Sequence, residues 1–237
     1  MKVGKDSHSP KLRPISQPPG LLDAFGVPLE HSHKARIAQP GHVQIVAFLE
    51  VAKSVFRLKL NNGMGVFVHP IKPADIQEIS DLTVRNFLEA PSFARLDANA
   101  RLAFIAVNSP ERLKRQVEHS STIFTVIVRH PVTNALMAYG ILKRGIHRVT
   151  HAQVALGERL HVSPEYISVG LGHRLHELGE FIARNAGYTT YVVKASGDSA
   201  GFFKSMGFKP VLQITKNRGM ADRGIPVPFS YLQKKLI

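Results

Sequence analysis

The chain has 237 residues, of which 44% are hydrophobic, so it can bury a substantial core and is not a wholly disordered protein. It contains no cysteine, which excludes disulfides, thiolate metal sites and cysteine nucleophiles. Its 31 Lys and Arg residues against 17 Asp and Glu residues give a net charge of +14, which favours a polyanionic partner or substrate without specifying one.

The excess positive charge is concentrated at the two ends of the chain. Residues 1–65 carry a net charge of +5, from nine Lys and Arg residues against four Asp and Glu residues. Residues 194–237 carry +6, from eight against two, whereas the long section 66–193 carries only +3, from 14 against 11. A folded core with cationic flanks fits this distribution better than a uniformly basic nucleic-acid domain does.

The sequence contains no predicted membrane-spanning or secretory segment. No run of residues reaches the roughly 18 to 20 apolar residues that a membrane-spanning helix requires. The first twenty residues are Pro-rich and polar, without the apolar segment of a secretory signal. We therefore expect a cytoplasmic protein with no membrane partner.

Three segments are expected along the chain. Residues 1–41 hold six of the fifteen prolines and are predicted to form an extended, basic arm. From Val43 to Leu60, apolar residues recur at three- and four-residue spacing, which predicts an amphipathic helix that ends at Asn61-Asn62-Gly63. The expected boundaries are an arm over 1–41, a helix and linker over 42–65, and a folded domain over 66–237.

The domain over 66–237 is predicted to combine strands and helices. Strands are expected where short runs are rich in β-branched residues, and helices where apolar residues recur at helical spacing. The predicted strands are Val66–Val68, Thr122–Arg129, Ala135–Lys143, Ala152–Val162, Thr190–Val193, Pro210–Thr215 and Pro228–Leu232. The predicted helices run from Pro73 to about Leu88, over 96–118 with a break near Ser109-Pro110, from Gly170 to Asn185, and over Ser199–Met206. This order predicts an α/β (α+β) domain with a mixed sheet.

A pair of glycines opens the helix that is predicted to begin at Gly170. The preceding strand ends at Ser163-Pro164, and Gly170-Leu171-Gly172 then leads into the helix. Because glycines carry no Cβ, backbone N–H groups here can approach an anion closely, and the helix N-terminus adds about half a positive charge. The pattern suits a phosphate or pyrophosphate, although two glycines that only allow tight packing of strand on helix would give the same pattern.

This stretch resembles the cofactor-binding motif of the GNAT superfamily of N-acetyltransferases, Gln/Arg-x-x-Gly-x-Gly/Ala. Gly170 and Gly172 match the two glycines of that motif. The family's common lead-in, L-x-V-x-P-E-Y, is present as Leu160, Val162, Pro164, Glu165 and Tyr166. Two further elements are similar to family elements and occur in family order: Ile71–Asp75 to the opening I-R-x-A-x-x-D region, and Phe202–Phe208 to F-Y-x-x-x-G-F.

The resemblance implies a mostly antiparallel GNAT-like sheet flanked by helices, and an acyl-CoA-dependent N-acyltransferase with acetyl-CoA as co-substrate. The pyrophosphate would rest on the turn at Gly170–Gly172, and the pantetheine arm would lie along the strand near Leu160 and Val162. The cofactor-binding residues that it implies are Leu160, Val162, Ile167, Ser168, Val169, Gly170, Leu171, Gly172, His173, Ser196 and Phe203.

Direct acyl transfer needs no protein nucleophile, which agrees with the absence of cysteine. The acceptor amine must lose a proton, and the thioester oxyanion must be stabilised. Glu158, two residues before Leu160 on the motif strand, is the candidate general base, although an ordinary solvent-facing carboxylate would look the same. Strand alternation predicts His161 on the opposite face, in a structural or exposed position. The resemblance makes the backbone N–H of Val162 the candidate oxyanion donor.

The chain departs from the family pattern at three positions. Ile167 stands where the family has Gln or Arg, Phe203 stands where it often has a tyrosine that protonates the leaving thiolate, and Ser196 stands where asparagine is frequent. These departures favour a second hypothesis, a catalytically degenerate binding or assembly module, which the basic ends would allow to associate with nucleic acid. The acceptor stays open between a protein, a small amine and aminoacyl-tRNA.

Twelve histidines raise the question of a metal site. Three pairs are closely spaced: His31 and His33, His147 and His151, and His173 and His176. None of them forms a HExxH pair or a carboxylate-supported cluster, so no metal is expected.

Overall fold

The computed structural model describes residues 21–23, 56–94, 96–214 and 229–236. The strands in these residues are β1 (Leu21–Asp23), β2 (Phe56–Lys59), β3 (Gly65–His69), β4 (Thr122–Arg129), β5 (Leu136–Ile146), β6 (Gln153–Val162), β7 (Thr190–Ser196), β8 (Lys209–Ile214) and β9 (Phe229–Lys235). They form one sheet in the order β1-β2-β3-β4-β5-β6-β7-β9-β8. Neighbouring strands are antiparallel except β6 and β7, which are parallel. The predicted mixed, mostly antiparallel sheet is confirmed.

Helices cover both faces of this sheet. The α-helices in the described residues are α1 (Ile76–Glu89), α2 (Pro91–Ala94), α3 (Ala98–Val107), α4 (Pro110–Glu118), α5 (Leu171–Asn185) and α6 (Gly197–Ser205). Short 3₁₀ turns precede α1 and α5, at Pro73–Asp75 and Pro164–Val169. None of the helices in the described part of the chain is long and apolar enough to cross a membrane.

The connection between the two parallel strands is α5, which packs on one face of the sheet. Leu171, Leu175, Leu178 and Ile182 recur at three- and four-residue spacing and therefore form one apolar stripe. All four side chains are buried in the larger core, together with residues from the central strands. The start of α5 is thereby held at the end of β6.

The opposite face is covered by α1 and α4. Ile79 of α1 and Leu113 of α4 are buried against Tyr139 and Ile141 of β5, in a second core. Because the two cores lie on opposite faces, the sheet separates α5 from α4. This separation matters for the site described below.

The predicted elements of the domain over 66–237 are confirmed, with boundaries that differ by at most three residues. The predicted break near Ser109-Pro110 separates α3 from α4, where Pro110 takes the first helical position. The left-handed residue expected after the short helix is also present, since Gly207 has a φ of 87°. The short helix α2 was not predicted.

The prediction of a helix over Val43–Leu60 is wrong for the part of this segment that the structure describes, residues 56–60. Residues 56–59 form β2, which pairs antiparallel with β3. Apolar and basic residues alternate here: Leu58 is 1% exposed, whereas Lys59 is exposed. This period of two specifies a strand, and the turn at Asn62-Gly63 closes the hairpin. Residues 43–55 and most of the arm lie outside the described residues, so the segment boundaries stay predictions.

Candidate functional site

Strands β6 and β7 are paired at one end only. Parallel pairing involves Ala155, Leu156 and Gly157 of β6, although β6 continues to Val162 and β7 continues to Ser196. Beyond Gly157 the two strands therefore diverge. A cleft of about 910 Å³ opens at this point, lined by β6, β7, α6 and the helices on the α4 face.

The edge of β6 that borders the divergence carries backbone donors and acceptors. Ser163 N donates to Met137 O at 2.8 Å, which fixes the hydrogen-bonded positions of the β5–β6 ladder. Because such positions alternate, the N–H and C=O groups of Leu160 and Val162 point away from β5. Asn86 of α1 donates its Nδ2 to Val162 O at 2.9 Å. The Val162 N–H, the candidate oxyanion donor, lies on the same edge.

A β-bulge in β6 lies at Glu158. Ile141 of β5 pairs with Arg159, and the next residue, Leu142, pairs with Gly157, so Glu158 is the extra residue. Its side chain lines the cleft, as the role of a general base requires.

Glu158 shares this part of the cleft with several cations. Burial lowers the pKa of Lys143, and the positive charges of Arg159 and Lys194 lower it further, while the charge of Glu158 acts in the opposite sense. Arg159 and Lys194 also line the cleft. The candidate base therefore lies in an electropositive environment.

The expectation that His161 lies on the face opposite Glu158 is wrong, because the bulge at Glu158 resets the strand alternation. His161 lines the same cleft as Glu158. Its ring is stacked on that of Tyr139, with centroids 5.1 Å apart and planes 8° from parallel, and lies 5.4 Å from the ring of Phe87. Burial, together with the charge of Arg159, lowers the pKa of His161 to about 3. The imidazole is therefore neutral at neutral pH.

We expect the low pKa of His161 to make the protein less stable in mild acid. The unfolded chain binds a proton at this histidine below about pH 6.5, whereas the folded chain does not until about pH 3. The contribution is absent above pH 6.5, and as the pH falls below that value the free energy of unfolding decreases by about 1.4 kcal/mol per pH unit. Urea unfolding at pH 7.5 and pH 5.5 should show a smaller decrease for His161→Phe than for the parent. A pH-independent difference between the two proteins would contradict the assignment.

The glycine turn that the sequence predicts to bind phosphate lies at the start of α5. Gly170 is the N-cap and has a φ of 81°, in the left-handed region that favours glycine. A Cβ on Gly170 would lie 2.6 Å from Asn61 Nδ2, and Asn61 N donates to Val169 O at 3.1 Å. The β2–β3 turn therefore packs directly against this residue.

The first turn of α5 leaves backbone donors without acceptors inside the helix. They are the N–H groups of Leu171, Gly172 and His173, which precede the first intrahelical hydrogen bond, from Arg174 N to Gly170 O. A Cβ built on Gly172 would lie 3.6 Å from both Phe202 of α6 and Val162. The donors are thus close to the diverging end of β6, where an anion and an extended chain can bind together.

The remaining predicted residues of the motif loop lie on the preceding 3₁₀ turn. Ile167 is 67% exposed, Ser168 is exposed, and Val169 is partly buried against the larger core. None of the three supplies a charged side chain, so their contribution to an anion site is limited to the backbone.

Phe203 and Ser196 both line the cleft. Phe203 is 8% exposed and packs its ring against His176 and Phe208, at centroid distances of 5.8 and 5.6 Å. Ser196 is the N-cap of α6, with its Oγ 3.0 Å from the Oγ of Ser199. Two of the three positions at which the chain departs from the family pattern therefore border the same space as Glu158.

Three cleft residues carry no sequence signal that predicts their position. Asn86 is one residue of an amphipathic helix, and its Oδ1 is buried with no hydrogen-bond partner. Arg159 is a single charge on a strand. Tyr191 pairs with Ala155 at the base of the divergence, and burial, followed by the charge of Glu180, raises its pKa. Asn86, Arg159 and Tyr191 were found only through the fold.

The histidine pairs that lie in the described residues have protein partners or exposed positions. His176 Nε2 lies 2.9 Å from Glu180 Oε1, and His147 Nε2 lies 2.8 Å from Gln233 Oε1. In the part of the chain that the structure describes, no group of three or more His, Cys, Asp or Glu residues has the arrangement of a metal site. His31 and His33 lie outside the described residues.

No protein-family model matches the sequence, and a search of curated proteins finds no match. Solved structures do match the fold. A GCN5-related N-acetyltransferase from Rhodopseudomonas palustris is 19% identical with a TM-score of 0.55, covering 71% of this chain and 94% of its own. The PaiA N-acetyltransferase from Thermoplasma acidophilum, solved in complex with coenzyme A, is 16% identical with a TM-score of 0.54, covering 73% of this chain and 99% of its own.

A third similar structure is described as the histone acetyltransferase HPA2 and related acetyltransferase, from Corynebacterium glutamicum. It is 17% identical with a TM-score of 0.51, and the match covers 72% of this chain and 96% of that chain. The chain therefore has the GNAT fold, as the motif resemblance implied.

Proposed function

We propose that the protein is an acyl-CoA-dependent N-acyltransferase that uses acetyl-CoA and transfers the acetyl group to an amine. The main support for the proposal is that the glycine turn at the start of α5 lies close to the point where β6 diverges from β7. The GNAT fold supports it, and the similar Thermoplasma acidophilum enzyme is an N-acetyltransferase that was solved with coenzyme A.

The cofactor is proposed to bind from the turn at Gly170 to the divergence of the strands. Its pyrophosphate would accept hydrogen bonds from the first backbone N–H groups of α5. Its pantetheine arm would lie along β6 and pair with the outward-facing peptide groups of Leu160, which leaves the Val162 N–H for the thioester. Ser196 and Phe203 line the cleft on the side of α6 and would contact the thioester end.

Acetyl-CoA supplies the acyl group, so that a C–N bond forms to the acceptor and the C–S bond of the thioester breaks. Glu158 takes the proton that the attacking amine must lose. The N–H of Val162 donates a hydrogen bond to the thioester oxygen as negative charge develops there. No group on the chain needs to become covalently modified, in agreement with the absence of cysteine.

Phe203 favours one alternative function, a GNAT-fold binding or assembly module without catalysis. The ring has no hydroxyl with which to protonate the leaving thiolate, so an active enzyme must use water or the acceptor for that proton. The basic ends of the chain would direct such a module to a polyanion such as nucleic acid. Release of CoA in the presence of an amine separates the two functions, because the module would bind CoA without turnover.

The cofactor site is tested by a matched pair of variants at Gly172. A leucine there would fill the gap between Phe202 and Val162, so acetyl-CoA affinity should fall by at least about tenfold in isothermal titration. Gly172→Ala is the control, because its Cβ would make only ordinary contacts at 3.6 Å and should leave the affinity close to that of the parent. Gly170 is unsuitable, since any side chain there meets Asn61 and strains a left-handed backbone. A folded Gly172→Leu protein with parental affinity would refute the proposed position.

A further inference from the structure

One wall of the cleft is basic. Arg112 and Arg115 of α4, Arg159 of β6 and Lys194 of β7 all line it, against the carboxylates of Glu158 and Asp198. The α4 residues lie on one helix face because Arg112 and Arg115 are three positions apart, as neighbours on a helix surface are.

The guanidinium of Arg159 is fixed by uncharged acceptors. Its Nε donates to Gln116 Oε1 at 2.7 Å, and its Nη1 donates to Asn108 Oδ1 at 2.7 Å. Asn108 is 2% exposed and donates its own Nδ2 to Phe104 O at 2.8 Å. The arginine is thus held in place while its charge is not neutralised by a carboxylate.

The other three cations of this wall also take part in no ion pair among the described residues. Among the described residues, the ion pairs involve seven combinations of charged side chains, and none of them includes Arg112, Arg115, Arg159 or Lys194. Four positive charges therefore face one cleft, and within the described residues none of them has a carboxylate at ion-pair distance.

The basic wall is separated from the proposed pyrophosphate site. The glycine turn belongs to α5, which packs on one face of the sheet, whereas α4 packs on the other. Backbone N–H groups at the start of α5 suffice for a pyrophosphate. The cations on the α4 side are consequently available to the second substrate.

We infer that the acceptor is an amine that also carries an anionic group, a carboxylate or a phosphate. The inference rests on the proposed function, because it concerns the acceptor side of the same cleft. The amine nitrogen would lie at Glu158, and the anionic group would be bound by Arg112, Arg115 and Arg159. The Glu158 carboxylate beside a group of arginines is complementary to such a zwitterion, and guanidinium groups bind carboxylates and phosphates with two parallel hydrogen bonds.

The test compares amines that differ only in the anionic group. Three pairs serve as probes: phenylalanine with phenethylamine, β-alanine with ethylamine, and O-phosphoethanolamine with ethanolamine. Binding to the full chain saturated with CoA is measured by isothermal titration, and CoA release from acetyl-CoA is measured in parallel. We expect at least one anionic member to bind about tenfold more tightly than its neutral counterpart, with an advantage that decreases at high salt. The carboxylate and phosphate arms identify which anion the wall prefers.

Two double variants that each remove two positive charges test whether the preference for the anionic amine arises from the basic wall of the cleft. Arg112→Gln combined with Arg115→Gln should remove most of the tenfold preference and raise KM for the anionic amine, with little effect on the neutral one. The control is Lys114→Gln combined with Lys209→Gln, which removes the same charge at exposed positions outside the cleft. Three results would overturn the inference. The two members of every pair could bind equally tightly, no anionic amine could bind, or the double arginine variant could change only the affinity for CoA. Selective amine binding without CoA release would instead refute the proposed catalysis and leave this inference intact.

Discussion

Glu158→Gln is expected to lower the rate of acetyl transfer by about 10² or more while leaving the affinity for acetyl-CoA close to that of the parent. Glutamine keeps the size of the side chain at the bulge but cannot take the proton that the attacking amine must lose. The proposed pyrophosphate donors are on α5 and the changed side chain is on β6, so cofactor binding should not respond. CoA release with a panel of amines, together with isothermal titration of acetyl-CoA, measures both quantities.

The matched control is Glu118→Gln, which removes the same charge from an exposed position at the end of α4. Turnover by the parent should rise with pH as the acceptor amine loses its proton, and the variant should retain that rise at a lower level. A Glu158→Gln protein as fast as the parent would remove Glu158 as the base.

Phe203→Tyr should not impair the parent rate, because a hydroxyl at this position of the cleft adds a proton source.

Most of the fold could be predicted because its elements carry strong local signals. The β-branched run of β4 and the apolar stripe of α5 were both predictable from spacing alone. The segment before β3 was not predicted, because Phe56 continues the three- and four-residue spacing of the apolar residues that precede it. The period of two over residues 56–59 is too short to outweigh that helical pattern, and the pairing with β3 settles the assignment as a strand.

The residues of the site, like the elements of the fold, fall into two groups. Local sequence patterns predict some of them, and the others depend on contacts between distant parts of the chain. The glycine turn at Gly170 is a motif of adjacent residues, so the sequence locates it. The bulge at Glu158 depends on the register with β5, and it overturned the alternation that had assigned His161 to the other face. Arg159 acquires its role from Gln116 and Asn108, which are 43 and 51 residues away along the chain. No periodicity in one strand can predict such contacts.

A buried carboxylate on α5 links this helix to the sheet. Glu180 is 5% exposed, and its oxygens contact His176 Nε2 at 2.9 Å, Arg184 Nη2 at 3.1 Å and Lys234 Nζ at 2.5 Å. Burial alone would raise the pKa of Glu180, but the hydrogen bonds from His176 and Lys234 outweigh it and lower the pKa. Lys234 belongs to β9, so this cluster joins the helix that begins at the glycine turn to the strand beside β7.

Glu180→Gln is expected to lower the free energy of unfolding by about 3 kcal/mol, because it leaves the charges of Lys234 and Arg184 without a counter-ion in a largely buried cluster. Glu177→Gln is the matched control on the same helix: its side chain is 31% exposed, against 7% for Glu180, so water can solvate the charge that remains and the loss should stay below about 1 kcal/mol. Since the folded pKa of Glu180 is lowered, its contribution is present above the ordinary glutamate pKa of about 4.3 and is lost as the pH falls below that value. Urea unfolding at pH 7 and at pH 4 should therefore show a difference between parent and Glu180→Gln that shrinks in acid. Equal losses for the two variants at pH 7 would mean that the cluster does not anchor α5 to the sheet.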